Sequence, residues 1–331
     1  MWDPDLIFDT SKNYFTEHVG ERVLAPTWGG YKDMKEIPLS LSYLQEAKRA
    51  GMKITPLLHN DFDLQETKKL LHDSGAVQNL ARQITATALV YDFDGWNLDF
   101  ENMDEADKFL YTKFIKTVSE KLHMHGKEIS VDITVNSNSP NWSLCYDREG
   151  MAAYVDYEVI MGYDQTPGGS RYSGSVSSYS WLKHHIAMLL KQVPNNKLVL
   201  GLPFYTRIWT GKEGQAASSV LMMKQIKSLL GQNNIGLFWN PEDRQYVGIW
   251  EENGQTRKVW FEERRSLQEK VSLAHDYKLA GLAFWRYGFE TEDIYDQIEG
   301  AFLNKKDESV RYKNRSEDIL IKFRERLKRA Q

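Results

Sequence analysis

Short apolar runs alternate with longer segments of helical periodicity over most of the chain. Apolar runs bounded by turn residues are typical of buried strands, whereas apolar positions three and four residues apart are typical of helices. The pattern predicts strands at residues 6–8, 23–30, 53–60, 96–101, 128–135, 157–161, 197–202 and 281–285. It predicts helices at residues 40–50, 64–87, 104–125, 151–154, 180–192 and 267–277. Strands that alternate with helices in this way favour parallel βαβ units.

Eight such strands are enough for an α/β fold that closes into a (β/α)8 TIM barrel. Residues 206–262 interrupt the rhythm, because this segment is too long for one crossover. It contains a predicted helix at 218–230, three strand-like runs and the hairpin signal Asn253-Gly254. We therefore predict a small α+β insertion between strands 7 and 8. The expected organisation is barrel strands 1–7 in residues 1–205, the insertion in 206–262, the last barrel helix and strand in 263–303, and a charged C-terminal helix or linker in 304–331.

The fourth predicted strand carries acidic side chains on one face. From residue 96 to 101, apolar and polar residues alternate, and the polar ones are Asn97, Asp99 and Glu101. Side chains two residues apart in a strand point to the same face, about 6.6 Å apart. A solvated surface strand is the simpler interpretation, but a face with two acids and no Lys or Arg is poorly suited to it, because like charges repel. Acids at the carboxyl end of a barrel strand instead indicate an active site.

Composition narrows the class of protein. The 331 residues are 41% hydrophobic and 27% charged, with a net charge of −4, which does not favour nucleic acid as a partner. The single cysteine, Cys145, allows no internal disulfide. No run approaches the roughly 20 apolar residues of a membrane span. The first residues lack a basic region followed by an apolar run, so we expect no signal peptide in this chain. Whether the chain is complete or part of a longer exported protein stays open.

Four motifs carry a resemblance to a known family. The spacing Asp94-x-x-Asn97-x-Asp99-x-Glu101 resembles the DxxDxDxE signature of family 18 glycoside hydrolases, the chitinase family. Three further segments are similar to later strands of that family: Met161-Gly162-Tyr163-Asp164, Gly201-Leu202-Pro203-Phe204-Tyr205 and Gly281-Leu282-Ala283-Phe284-Trp285. The resemblance extends from about residue 23 to residue 290. In one departure, Asn97 stands where the signature has its middle Asp.

The Asn form of the signature resembles the spore-cortex and cell-wall N-acetylglucosaminidases of spore-forming bacteria. Pro140-Asn141-Trp142-Ser143 and Tyr146-Asp147-Arg148 are also similar to that group. The resemblance implies a retaining hydrolase that cleaves β-1,4 bonds after N-acetylglucosamine in peptidoglycan. If the chain belongs to a longer exported protein, we expect it outside the cell, in the wall or in the spore. The alternatives are a chitin-oligosaccharide hydrolase, a sugar-binding module that has lost catalysis, and a scaffold with slow activity.

The resemblance also implies catalytic roles for three residues, without a metal or cofactor. Glu101 protonates the glycosidic oxygen, and the 2-acetamido carbonyl of the substrate attacks the anomeric carbon. Asp99 holds the acetamido N–H, and Tyr163 donates a hydrogen bond to the acetamido oxygen. That all three are retained favours an enzyme over a lectin. We further expect Asn97 to donate its amide N–H to Asp99 and to keep that carboxylate ionised.

Other candidates are substrate-binding residues around the same mouth: Trp285, Asp164, Tyr205, Trp28, Asn136 and Arg207. Trp285 is expected under the cleaved sugar, although a core aromatic is the simpler interpretation. Asp164 either binds sugar and tunes Glu101 or forms a structural salt bridge, and Asn136 either binds hydroxyl groups or makes a turn. A glycan is the expected partner, and the expected state is monomeric.

Overall fold

The structure is a computed structural model that describes residues 22–34, 41–232, 234–291, 294, 295 and 298. The predicted first strand at residues 6–8 and the predicted charged segment at 304–331 lie outside the described residues. The other seven predicted strands and all six predicted helical regions can be compared with the structure.

The described chain contains the following elements. Its strands are β1 (Val23–Leu24), β2 (Thr27–Gly30), β3 (Lys53–Ile54), β4 (Leu57–His59), β5 (Gly95–Asp99), β6 (Glu128–Thr134), β7 (Tyr157–Met161), β8 (Leu198–Pro203), β9 (Tyr205–Thr210), β10 (Ala217–Met222), β11 (Gly236–Asn240), β12 (Gln245–Glu252), β13 (Gln255–Trp260) and β14 (Gly281–Trp285). Its α-helices are α1 (Leu41–Arg49), α2 (Leu64–His72), α3 (Ser74–Val90), α4 (Lys108–His123), α5 (Arg148–Ala152), α6 (Tyr179–Leu189), α7 (Ile226–Gln232) and α8 (Arg264–Asp276).

Seven parallel strands form one curled sheet in the order β14-β8-β7-β6-β5-β4-β2. Strands that follow one another along the chain lie side by side in this sheet. Each of the six connections between them contains at least one described α-helix, and the last connection also contains a second sheet. This is the arrangement of a TIM-barrel-like fold, and it confirms the predicted order of seven strands. The predicted strands at 23–30 and 53–60 are each divided in two, and their first halves, β1 and β3, pair separately.

The apolar face of β5 packs against the helices outside the sheet. The Trp96 indole donates a hydrogen bond of 3.0 Å to the Ile84 carbonyl of α3. Phe100 stacks on Tyr111 and Phe114 of α4, with ring centroids 5.8 and 5.5 Å apart. Because these side chains fill the space under the helices, the opposite face of β5 must point into the curl of the sheet. The polar residues of the strand therefore lie inside.

Two helix predictions need correction. The helix predicted for residues 64–87 is two helices, because the Asp73 carboxylate accepts hydrogen bonds from the Gly75 and Ala76 backbone N–H groups and starts α3. The helix predicted for residues 218–230 is wrong over its first half. Those residues form β10, which pairs with β9, and α7 begins at Ile226. None of the described helices is long and apolar enough to cross a membrane.

A second, five-stranded antiparallel sheet occupies the chain between β8 and β14, in the order β10-β9-β13-β12-β11. Asn253 and Gly254 join β12 to β13 with positive φ angles of 53° and 71°, as a two-residue hairpin requires. A buried ion pair ties this sheet to the barrel helices, because Lys270 of α8 contacts Glu262 just after β13. The Gln245 side chain of β12 donates to the same carboxylate at 3.3 Å. The second sheet is thus fixed relative to the first.

A substitution at Gly95, at the start of β5, tests how closely this strand packs against β6. A Cβ at this position would lie 2.3 Å from the Glu128 carbonyl oxygen of β6, so Gly95→Ala must push two central strands apart. We expect a loss of about 1–3 kcal/mol in the free energy of unfolding, measured by urea denaturation. Gly281→Ala is the matched control, because a strand Cβ there meets nothing within 4 Å. Equal effects of the two substitutions would contradict this explanation.

Candidate functional site

The predicted chemistry-bearing residues gather at the carboxyl ends of the parallel strands. Asp99 ends β5, and Glu101 follows it by two residues. Tyr163 follows β7, and Trp285 ends β14. In sheets of this kind the carboxyl end is where binding and catalytic groups meet. The strand β6, between β5 and β7, adds a residue that the sequence interpretation did not select.

That residue is Asp132, which lies beside Asp99 on the inner face of the sheet. Leu98 of β5 pairs with Val131 of β6, so the next residue on each strand, Asp99 and Asp132, are neighbours. Asp132 is 8% exposed. One oxygen of Asp99, Oδ1, is also buried and has no hydrogen-bond partner among the described residues. Two carboxyl groups therefore share a site with little access to solvent.

Burial and mutual repulsion keep these acids protonated to unusually high pH. Burial raises the pKa of Asp99 to about 7. The pKa of Glu101 rises to about 9, first because the group is desolvated and then because of the charges on Asp99, Asp132 and Asp164. Burial and the Asp99 charge raise the pKa of Asp132 well above its usual range, against a hydrogen bond from Asn97 that lowers it. A carboxyl that stays protonated at neutral pH can act as a general acid.

The expected contact between Asn97 and Asp99 is wrong. The Asn97 amide instead donates to Asp132 Oδ1 at 2.9 Å and to Ser130 Oγ at 3.0 Å, both on β6. Geometry explains the correction: residues two apart on one strand are separated by about 6.6 Å, whereas neighbouring strands are about 4.8 Å apart. Asn97 therefore acts across the sheet, on Asp132, and the hydrogen bond that it donates favours the ionised form of that acid.

Four of the candidates adjoin one another on the other side of the mouth. The Tyr205 hydroxyl donates to Asp164 Oδ1 at 2.9 Å, and Arg207 forms an ion pair with the same oxygen at 3.3 Å. The Tyr163 and Tyr205 rings meet edge to face with centroids 6.3 Å apart. Burial, followed by the charges on Asp132 and Asp99, raises the pKa of Tyr163 well above its usual range, so its hydroxyl keeps its proton as a donor. Asp164 both pairs with Arg207 and adds to the field on Glu101.

Trp28 does not belong to the mouth, and its assignment as a rim residue is corrected. It is 3% exposed and packs edge to face on Phe93 and Trp96, on the helix side of the sheet. The pairing of β2 with β4 shifts at this point, because Thr27 pairs with Leu57 and Gly29 with the very next residue. A bulge of this kind breaks the strand alternation and turns the intervening side chain to the other face.

Trp285 and Asn136 differ in their relation to the carboxyl cluster. Phe284 stacks on Phe204 at 4.7 Å within the outer core, so its neighbour Trp285 points inward, and it is 37% exposed. The Asn136 amide donates to the Gln192 side chain at 3.2 Å, and this hydrogen bond does not join it to the acids.

Comparison with known proteins identifies the family. A profile described as Glycosyl hydrolases family 18 matches residues 40–290, a range that contains the whole carboxyl cluster. The chain belongs to glycosyl hydrolase family 18. It is accordingly a glycosidase, and the matched range includes all four of the motifs on which the resemblance was based.

The relatives of this family 18 chain include several bacterial proteins. It is 26% identical over 265 residues to the "Uncharacterized glycosylase YvbX" of Bacillus subtilis, covering 77% of this chain and 76% of that protein. It is 26% identical over 243 residues to the cortical fragment-lytic enzyme of B. subtilis, covering 72% of this chain but 56% of the relative. The spore cortex-lytic enzyme SleL of Bacillus megaterium has the same fold, with a TM-score of 0.78 at 20% identity over 91% of this chain and 71% of that one.

A family 18 N-acetylglucosaminidase from Paenibacillus barengoltzii also shares the fold, with a TM-score of 0.68. Its identity to this chain is 17%, over 80% of this chain and 87% of that one. At this level of identity, structural similarity supports the fold alone. The match to the family profile is the observation that identifies the chain as a glycosidase.

Two residues that sequence reasoning missed hold the backbone of this glycosidase at its acids. Asn60, which is 1% exposed, accepts a hydrogen bond from the Glu101 N–H at 3.0 Å and donates to the Glu101 carbonyl at 2.7 Å. The Tyr146 hydroxyl donates to the Phe100 carbonyl at 2.8 Å. Asn60 ends the predicted third strand, and Tyr146 lies in one of the similar segments, but no sequence signal pairs either with Glu101.

Asn60→Ala tests whether this clamp positions Glu101. The substitution removes both hydrogen bonds to the Glu101 backbone, so we expect kcat to fall about 10- to 100-fold while KM changes less. The measurement is steady-state hydrolysis of a glycan that the wild type cleaves, at matched folded fractions. Thr67→Val is the control, because it removes the 2.9 Å hydrogen bond between Asn60 and Thr67 but leaves the two bonds to Glu101. An unchanged kcat in Asn60→Ala would contradict the assignment.

Proposed function

We propose that this family 18 glycosidase is a retaining β-N-acetylglucosaminidase of bacterial cell-wall or spore-cortex peptidoglycan. The observation that carries the proposal is the buried cluster of Glu101, Asp99 and Tyr163 at the strand ends. The cortical fragment-lytic and N-acetylglucosaminidase names of the relatives support the substrate class. If peptidoglycan is the substrate, we expect the protein to act in the cell wall or in the spore.

The cluster has the parts that substrate-assisted hydrolysis needs. Glu101, protonated at neutral pH, gives its proton to the glycosidic oxygen while the 2-acetamido carbonyl oxygen attacks the anomeric carbon. Asp99 accepts a hydrogen bond from the acetamido N–H and stabilises the positive charge that develops on the ring. The Tyr163 hydroxyl donates a hydrogen bond to the acetamido oxygen. Water, deprotonated by Glu101, then opens the oxazolinium ring with retention. Since the acid form of Glu101 is required, the rate should fall as the pH rises through its raised pKa.

The walls of the mouth suit an extended glycan. The five-stranded sheet adjoins the site through the Arg207–Asp164 ion pair, and we propose that this insertion forms one wall of the groove, with Trp285 as the floor. On the side of β4 and β6, Phe62 and Trp142 form an exposed aromatic pair with centroids 6.0 Å apart. Rings that present their faces to solvent are well suited to stack on sugars.

A chitin-oligosaccharide hydrolase is the second candidate, because the groups that recognise the 2-acetamido group would serve both polymers. The two polymers differ in the sugar on the far side of the cleaved bond, which is muramic acid in peptidoglycan and another N-acetylglucosamine in chitin. Nothing in the carboxyl cluster itself selects between these two sugars, so the products must decide.

Product analysis of parallel peptidoglycan and chitin-oligosaccharide digests tests the function. We expect N-acetylglucosamine at the new reducing ends of peptidoglycan, as the β-anomer in proton NMR spectra recorded early in the reaction. Glu101→Gln should lower the rate about 100-fold or more, because general acid catalysis is lost. Glu120→Gln, on the exposed surface of α4, is the matched control with an unchanged rate.

Three outcomes would contradict parts of the proposal. Muramic acid at the new reducing ends would contradict the bond assignment, and cleavage of chitin oligosaccharides alone would favour the second candidate. Full activity of Glu101→Gln would remove the mechanism.

A further inference from the structure

Asp132 is the one buried acid on the inner face beside Asp99 that the proposed mechanism leaves without a role, among the residues that the structure describes. Its strand alternates as β5 does, with Val131 and Ile133 fully buried toward the helices and Ser130 and Asp132 on the inner face. Asp132 thus belongs to the site by strand register. Burying an acid next to another acid lowers the stability of the fold unless hydrogen bonds or opposite charges compensate for it.

Asn97 provides part of this compensation through a hydrogen bond. Its amide donates to Asp132 Oδ1 at 2.9 Å across the strand pair, and no charge is introduced. The signature that the chain resembles has an acid at the position of Asn97. In this chain an amide stands at that position, and a carboxyl group lies next to it on the neighbouring strand β6.

We propose that Asp132 is a positioning residue of the reaction that supplies, from β6, the third carboxyl group of the site in place of an acid at position 97. This inference rests on the proposed function. Two adjacent buried carboxyls do not both ionise at neutral pH, so Asp99 and Asp132 share one proton and one charge. With the shared proton on Asp132, the one negative charge lies on Asp99, beside the positive charge that develops on the substrate, and no proton need be exchanged with solvent.

The groups that face Asp132 fit this role. Asp99 and Glu101 approach from β5 and the residues after it, and Tyr163 approaches from the segment after β7. Tyr111 of α4, beyond the sheet, also feels the Asp132 charge. A nearby cation would lower the pKa of Asp132, and none of the described cationic side chains is among the groups that shift it. No ion pair with a described residue therefore fixes the single negative charge of the two acids.

A charge-transposition experiment tests the proposal. Asp132→Asn removes the carboxyl with little change of shape, and the double variant Asn97→Asp/Asp132→Asn returns it to β5. Hydrolysis rates of a glycan cleaved by the wild type are measured against pH for both. We expect Asp132→Asn to lower kcat about 100-fold, with a smaller change in KM and an altered pH profile. The kcat of the double variant should be at least tenfold higher than that of Asp132→Asn.

Glu158→Gln is the matched control. Glu158 is a fully buried carboxyl on neighbouring β7, next to Val159, the residue that pairs with Asp132, but on the helix side of the sheet. Its substitution should leave both kcat and the pH profile unchanged. If Glu158→Gln reproduces the loss, burial of any carboxyl in this sheet matters and the assignment to Asp132 is overturned.

The outcomes separate this inference from the proposed function. A wild type that cleaves no glycan refutes both. An active wild type with an inactive Glu101→Gln and an unaltered Asp132→Asn refutes only the role of Asp132. A folded double variant that is no better than Asp132→Asn also overturns it, and failure of both variants to fold, judged by thermal unfolding, would make Asp132 structural.

Discussion

The structure depends on one electrostatic constraint, which is that three acids cannot all carry charge in a space that excludes water. Asp99, Glu101 and Asp132 emerge from two adjacent strands into the curl of the sheet. Burial raises the pKa of each. The charge on Asp99 further raises the pKa of both other acids, and the charge on Asp132 further raises that of Glu101. Protons must therefore remain on the cluster at neutral pH, and one of them is available for transfer from Glu101 to a leaving group. The chemistry is a consequence of this crowding.

The rest of the fold keeps the acids crowded. Trp96 and Phe100 anchor the outer face of β5 under α3 and α4, so the strand cannot rotate its acids outward. Gly95 lets β6 approach closely enough to place Asp132 beside Asp99. Asn60 then fixes the backbone of Glu101 through hydrogen bonds to both its N–H and its carbonyl group. These contacts offset the electrostatic cost of the site with packing and hydrogen bonds from residues that take no part in the reaction.

Features that depend on neighbours along the chain could be predicted from the sequence. Strand alternation placed Asn97, Asp99 and Glu101 on one face, and the order of seven strands could be read from the rhythm of apolar runs. Features that depend on neighbours across the sheet could not be predicted. The partner of Asn97 is set by the register of β5 against β6, and the direction of Trp28 is set by a bulge between β2 and β4. Ser130 and Asp132 alternate visibly with apolar residues, but only the register shows which acid they meet.

The most direct test of the electrostatic constraint is the ionisation of Glu101 itself. Carbon-13 NMR of protein labelled at the glutamate side-chain carboxyl carbon can follow its titration, with the Glu101 resonance assigned by its absence from Glu101→Gln. We predict a carboxyl that is protonated at pH 7 and titrates near pH 9, far above the ordinary value of 4.5. A midpoint near 4.5 would show that the cluster does not hold its protons, and it would contradict the proposed source of the catalytic acid.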